Sequence, residues 1–104
     1  WAAAEWFMVI RALFVREEGD TLVLGGGVPP EWLASGQTLS FGPTLTSWGW
    51  LTVVIDTAGA APGVRVESEW RERAPRILAC LAGHDEFAVP GDGARARAGE
   101  SGPA

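Results

Sequence analysis

The chain has 104 residues, a formal net charge of −5 and an apolar content of 47%. That length allows one domain at most, and a domain of this size buries roughly two thirds of the surface its unfolded chain exposes. The acidic balance excludes the basic stripe that nucleic acid requires, because Arg71, Arg73 and Arg76 are interleaved with Glu67, Glu69 and Glu72. A membrane is not an expected partner either. The apolar run from Trp6 to Ile10 ends at Arg11, far short of the ~20 residues a spanning helix needs.

Trp1 to Arg16 reads as a helix. Trp6, Phe7, Ile10, Leu13 and Phe14 recur with the spacing of an amphipathic stripe, and Gly19 is placed to terminate it. A free helix this short is marginal in water, so its docking face needs a partner: the sheet that follows, or a helical domain upstream. The chain opens without Met and in mid-pattern, which leads us to expect residues 1–18 to be the terminal helix of a missing upstream helical domain.

Beyond Gly19-Asp20 the period becomes extended. Thr21 to Leu24 is a short strand, broken by Gly25-Gly26-Gly27. Pro29-Pro30 leads into a single helical turn over Glu31 to Ala34. Thr38 to Phe41 is a second strand, closed by Gly42-Pro43, and Ser47 to Asp56 is the longest strand. Thr57 to Gly63 forms a loop, Val64 to Trp70 alternates as a half-buried strand does, and Arg76 to Leu81 and Glu86 to Val89 follow. Five to six short strands after one helix, with turns roughly every ten residues, predict a mainly β fold: an antiparallel β-sandwich over residues 19–90, preceded by one N-terminal α-helix. The sandwich is either complete in this chain or finished by strands from upstream. Residues 91–104, which lack any apolar side chain larger than Ala, Pro aside, are expected to be a disordered tail.

The chemistry-bearing residues are few. Cys80 is the single cysteine, so no intrachain disulfide can form. Its Leu-Ala-Cys-Leu setting reads as a buried strand with an inert thiol. Nothing here points to an oxidising compartment; a soluble chain is expected, with the cytoplasm slightly favoured. All eight basic residues are Arg, as GC-rich codon usage would give. The triple glycine lacks the spacing of a phosphate loop and no long helix follows it, so it reads as a loop needing unusual φ. His84-Asp85-Glu86 are consecutive in a turn, where side chains diverge, and one His without paired Cys is poor material for a metal. Asp20 and Asp56 flank strands, but nothing brings them to the separation that glycoside hydrolysis demands; Asp20 reads as a turn cap. Neither catalytic residues, a metal site nor a cofactor is expected.

Six tryptophans are the remaining signal, since indoles favour interfaces and sugar-binding surfaces. Trp48 and Trp50 at i and i+2 would share one strand face with Thr52 and Val54, opposite Leu51, Val53 and Ile55. With both faces apolar, this strand is expected to be central and covered on both sides. Trp48 and Trp50, with Trp32, are candidates either for a domain interface or for a flat platform on which pyranose rings stack. Packing is the more ordinary of the two roles.

The order of these segments resembles a known arrangement. Val15-Arg16-Glu17, Gly19-Asp20-Thr21-Leu22, Val28-Pro29-Pro30-Glu31-Trp32-Leu33, Gly36, Pro43-Thr44 and Trp48-Gly49 are similar to the C-terminal β-sandwich region of large bacterial (α/α) toroid proteins of glycosidase-like and sugar-phosphorylase-like type. The likeness spans Leu13 to Ile55. Its gap between Pro43-Thr44 and Trp48-Gly49 is longer than the family pattern. In such proteins the catalytic carboxylates lie in the toroid. The resemblance therefore implies a non-catalytic module that packs on and stabilises the helical catalytic domain of a larger carbohydrate-active protein, itself without a cofactor. The alternative is a carbohydrate-binding module using the Trp platform.

Overall fold

The computed structural model describes residues 3–99, with side chains from residue 9 onward. Helix α1 (Ala3–Phe14) runs directly into strand β1 (Val15–Glu18), followed by β2 (Thr21–Leu24), the short helix α2 (Pro30–Leu33), β3 (Thr38–Thr46), β4 (Gly49–Asp56), β5 (Gly63–Trp70), β6 (Arg76–Ala79), β7 (Phe87–Ala88) and β8 (Ala96–Arg97). The strands form two four-stranded sheets, ordered β1-β2-β6-β7 and β3-β4-β5-β8. The fold is a mainly β, sandwich-like pair of sheets behind one N-terminal helix. One pair departs from the antiparallel expectation: β2 and β6 are parallel. Parallel neighbours need a long crossover, and here the whole β3-β4-β5 meander supplies it.

The core lies between the sheets. Leu22 and Leu24 of β2 and Ile77 and Ala79 of β6 meet Leu51, Val53 and Ile55 of β4 and Val64 and Val66 of β5, all buried. This is the period-2 burial that a strand with one covered face imposes.

The helix is shorter than its periodicity predicts. It stops at Phe14, and Val15–Glu18 pairs with Thr21–Leu24 in a tight hairpin. Gly19, at φ 60°, opens the two-residue Gly19-Asp20 turn instead of ending a helix. β-branched Val15, buried opposite Leu24, gains more in the sheet than in another helical turn. The carbonyls orphaned at the helix end are met by the glycine loop: Gly25 N–H donates to the Phe14 carbonyl at 2.9 Å and Gly27 N–H to that of Leu13 at 3.1 Å. Gly25 has φ 76°, the unusual conformation expected of this loop. A β-carbon on Gly27 would stand 2.9 Å from Leu13 Cα, so only glycine lets the loop close on the helix.

Two further expectations are corrected. Gly42-Pro43 does not close β3, which continues through a cis Gly42-Pro43 peptide to Thr46. The register passes from Phe41↔Val53 to Thr44↔Leu51, so Gly42 and Pro43 together oppose Thr52, the two-against-one count of a bulge. An edge strand tolerates proline at such a point, and β3 is the sheet's edge. The stretch after Gly91 is also more ordered than its composition predicts. Ala96–Arg97 pairs with Gly63-Val64 of β5, and Ala98 is buried. The Gly91 carbonyl accepts from Trp70 Nε1 at 2.9 Å and from Ser68 Oγ at 3.2 Å, and these anchors replace apolar burial. Residues 100–104 of the expected tail lie outside the described residues.

Candidate functional site

Three of the five residues assigned to the helix docking face can be placed. Phe14 is buried and stacks on Phe41 of β3, with ring centroids 5.5 Å apart and planes 10° from parallel. Ile10 and Leu13 are partly buried against the same core. The partner of this part of the stripe is therefore the chain's own sandwich. The side chains of Trp6 and Phe7 lie outside the described residues. Arg11 fixes the approach: Nε donates to Thr44 Oγ1 at 3.1 Å, Nη2 donates to the Leu45 carbonyl at 3.1 Å, and Nη2 stands 3.5 Å from Glu17 Oε2. Ser47 Oγ donates to Glu17 as well. Val9 points away from the sandwich and is 57% exposed.

The three candidate indoles do not form one platform. Trp48 lies in the turn between β3 and β4, because the last register pair of that hairpin is Thr46↔Gly49. The alternation that would have put it beside Trp50 does not reach it. It is half-buried against the core and lines a cleft with Asp20 and Arg73–Arg76. Thr46, itself buried, holds the turn by donating to the Gly49 carbonyl at 2.8 Å and accepting from Trp48 N–H at 3.2 Å. Trp32, on α2, is 39% exposed beside Ser35, Gln37 and Leu39. Trp50 is 47% exposed on the outer face of the second sheet.

That outer face carries an open depression. The expectation that β4 is covered on both sides holds for its inner side, where Leu51, Val53 and Ile55 are fully buried, and at Val54 on the outer side, but fails at Trp50. On the outer side the register aligns Leu45, Trp50 and Glu69 in one row across three strands. Thr52 and Glu67 form the next row, with the bulge residue Pro43 beside Thr52. Pro43, Trp50, Thr52, Glu67 and Glu69 line a shallow depression of about 450 Å³. Arg65 Nη1 reaches Glu67 Oε2 at 2.7 Å. Farther along the same face, Asp56 accepts from Ala58 N–H at 3.0 Å and stands 3.6 Å from Arg95 Nη1, beside Thr38 and Arg65. The carboxylates Glu67 and Glu69 were not singled out from the sequence. Their i, i+2 spacing on a strand next to that of Trp50 was the available signal, and reading it required the β4–β5 register.

The remaining candidates are dispersed. Asp20 is in the β1–β2 turn and accepts from the Thr21 hydroxyl at 3.3 Å, while Asp56 is at the end of β4 in the other sheet. His84, Asp85 and Glu86 lie exposed in the loop after β6. Cys80 lies one residue past β6 and is half-buried, not in a buried strand as expected; partial burial raises its thiol above the ordinary pKa, helped by Glu86, whose Oε2 accepts its weak S–H hydrogen bond at 3.7 Å. Among the described residues no three His, Cys, Asp or Glu side chains converge as a metal site would require, and no helix is long and apolar enough to cross a membrane.

Comparison with known proteins returned no match: no family model, no curated protein and no solved structure aligns with this chain.

Proposed function

We propose that this chain is a non-catalytic β-sandwich module of a larger carbohydrate-active, glycoside hydrolase-like protein, packing on and stabilising that protein's helical catalytic domain. The observation that carries the reading is the junction at Phe14-Val15. Helix α1 enters β1 with no intervening linker and is tied down by Arg11, by the Phe14–Phe41 stack and by the glycine loop. A helix so fixed transmits its orientation to whatever packs on its other side. Exposed Val9 marks that side. The resemblance of the segment order to that of toroid-associated sandwiches supplies the carbohydrate assignment.

The reading predicts that the isolated 104-residue chain self-associates through the exposed Val9 side of the helix. Sedimentation of the wild type and of Val9→Glu tests it. Concentration-dependent association that the Glu variant weakens is the expected result. A sharply monomeric wild-type chain with cooperative unfolding would count against a helix that needs a partner.

A further inference from the structure

The open face around Trp50 has chemistry that a docking helix does not use. We propose that it is a binding site for a neutral glycan, with one pyranose ring stacked on the Trp50 indole and its hydroxyls met by Glu69, Glu67 and Thr52. This inference stands on the outer face of β3-β4-β5 alone. The helix could dock a domain while this face binds no sugar, and the reverse, so the two fail separately.

The apolar part of the face is small. It consists of the Trp50 indole, 47% exposed, with Leu45, 45% exposed, and Pro43 at its edge. A stable protein interface buries about 800 Å² on each partner around an apolar centre, and here polar groups bound the indole within one residue on the β5 side. A single flat ring with hydrogen-bonding groups at its rim matches a pyranose, which has an apolar C–H face and a polar edge. The electron-rich face of the indole attracts the polarised C–H bonds turned toward it.

Charge selects among glycans. Glu67 is engaged by Arg65 and Asp56 by Arg95, whereas Glu69 makes no ion pair among the described residues. The carboxylates outnumber the guanidinium groups on this face and the chain carries −5 overall, which disfavours uronates and sulfated sugars. With Glu67 and Asp56 already paired to Arg65 and Arg95, Glu69 is too little charge on this face to select a polycation. Acceptors (Glu67, Glu69) mixed with donors (Thr52, Arg65, Arg95) suit hydroxyls, which both give and take hydrogen bonds. From Trp50 to Asp56 the face runs roughly 20 Å along β4 at ~3.4 Å per residue, long enough for an oligosaccharide rather than one sugar.

The test is calorimetric titration of the full chain with soluble neutral oligosaccharides of glucose (α- and β-linked), xylose and mannose. A polyuronate and a glucosamine oligomer serve as charged counterparts. Trp50→Ala, Trp50→Phe, Glu69→Gln and Trp32→Ala are compared with the wild type, each first checked for an unchanged thermal transition. The expected result is binding of at least one neutral oligosaccharide, weakened about tenfold or more by Trp50→Ala, less by Trp50→Phe and by Glu69→Gln, and unaltered by Trp32→Ala. The proposal is overturned if no neutral sugar binds, if only a charged one does, or if the Trp50 variants bind as the wild type does.

Discussion

Phe14, the last residue of α1, stacks on Phe41 of β3 with ring centroids 5.5 Å apart. The contact joins the end of the helix to an edge strand of the second sheet, across the chain from the hairpin into which the helix runs. Phe14 is 4% exposed, so truncating it removes a ring from a closed core. Phe14→Ala should cost about 3–5 kcal/mol, a large part of what a small domain possesses. Urea unfolding would show this as a lower midpoint at unchanged slope. A loss under about 1 kcal/mol would mean that the helix is not part of the fold.

Arg11 makes a different prediction, because its contacts bind the helix without filling the core. Its fork reaches Thr44 Oγ1, the Leu45 carbonyl and Glu17 together, a geometry that lysine cannot reproduce. Arg11→Lys and Arg11→Ala should both lower stability by about 1–2 kcal/mol, with most of the change confined to α1. Hydrogen exchange should accelerate for the helix amides while β4 and β5 stay protected.

Gly42 tests the bulge. Its φ is 134°, and an added β-carbon would meet the Leu51 carbonyl oxygen and Thr52 Cα at 2.7 Å each. These are backbone atoms of the neighbouring strand and cannot swing aside. Gly42→Ala should cost more than about 2 kcal/mol. Gly36→Ala, at φ 76° with nothing within 4 Å, should cost only the ~1–2 kcal/mol of the left-handed conformation. Equal losses at the two sites would contradict the described bulge.

Trp70 and Ser68 hold the Gly91 carbonyl and so position the return of the chain to β8. Removing the indole donor in Trp70→Phe leaves the weaker Ser68 bond and should cost about 1 kcal/mol. The more sensitive readout is local. Trypsin should cut after Arg95 and Arg97 several-fold faster in the variant, with the sandwich otherwise intact.

The Cys80 thiol, raised by burial first and by Glu86 second, should alkylate slowly at neutral pH, since the thiolate is the reacting form. Labelling should rise with pH past the ordinary thiol range. Glu86→Gln removes the neighbouring charge, lowers the thiol pKa and should shift the labelling profile to lower pH. An unshifted profile would show that burial alone sets it.

The strands between Thr21 and Ala88 were legible because their residues alternate, as in Val64–Trp70, or carry β-branched runs, as in Gly49–Asp56. The helical turn at Pro30–Leu33 was announced by its prolines. Where reading failed, a local signal was outweighed by a longer one. The stripe ending at Phe14 was extrapolated across Val15–Glu18, although Gly-Asp between two extended runs is a hairpin signal. Gly42-Pro43 was read as a stop because a bulge becomes visible only with its partner strand in register. The site suffered in the same way. Trp48 falls in the hairpin turn and not on the strand with Trp50, and Glu67 and Glu69 join Trp50 only through the β4–β5 pairing. Ala96–Arg97 had no apolar signature, since hydrogen bonds from Trp70 and Ser68, distant in sequence, hold that segment.

The measurement that bears most directly on the module reading is the nucleotide sequence upstream of the codon for Trp1. The account predicts that the open reading frame continues through several hundred residues of paired amphipathic helices, with the acidic residues of a glycoside-processing site among them. A start codon within a few residues of Trp1 would contradict it, and the exposed Val9 side of the helix would then have to find its partner in a second copy of the chain.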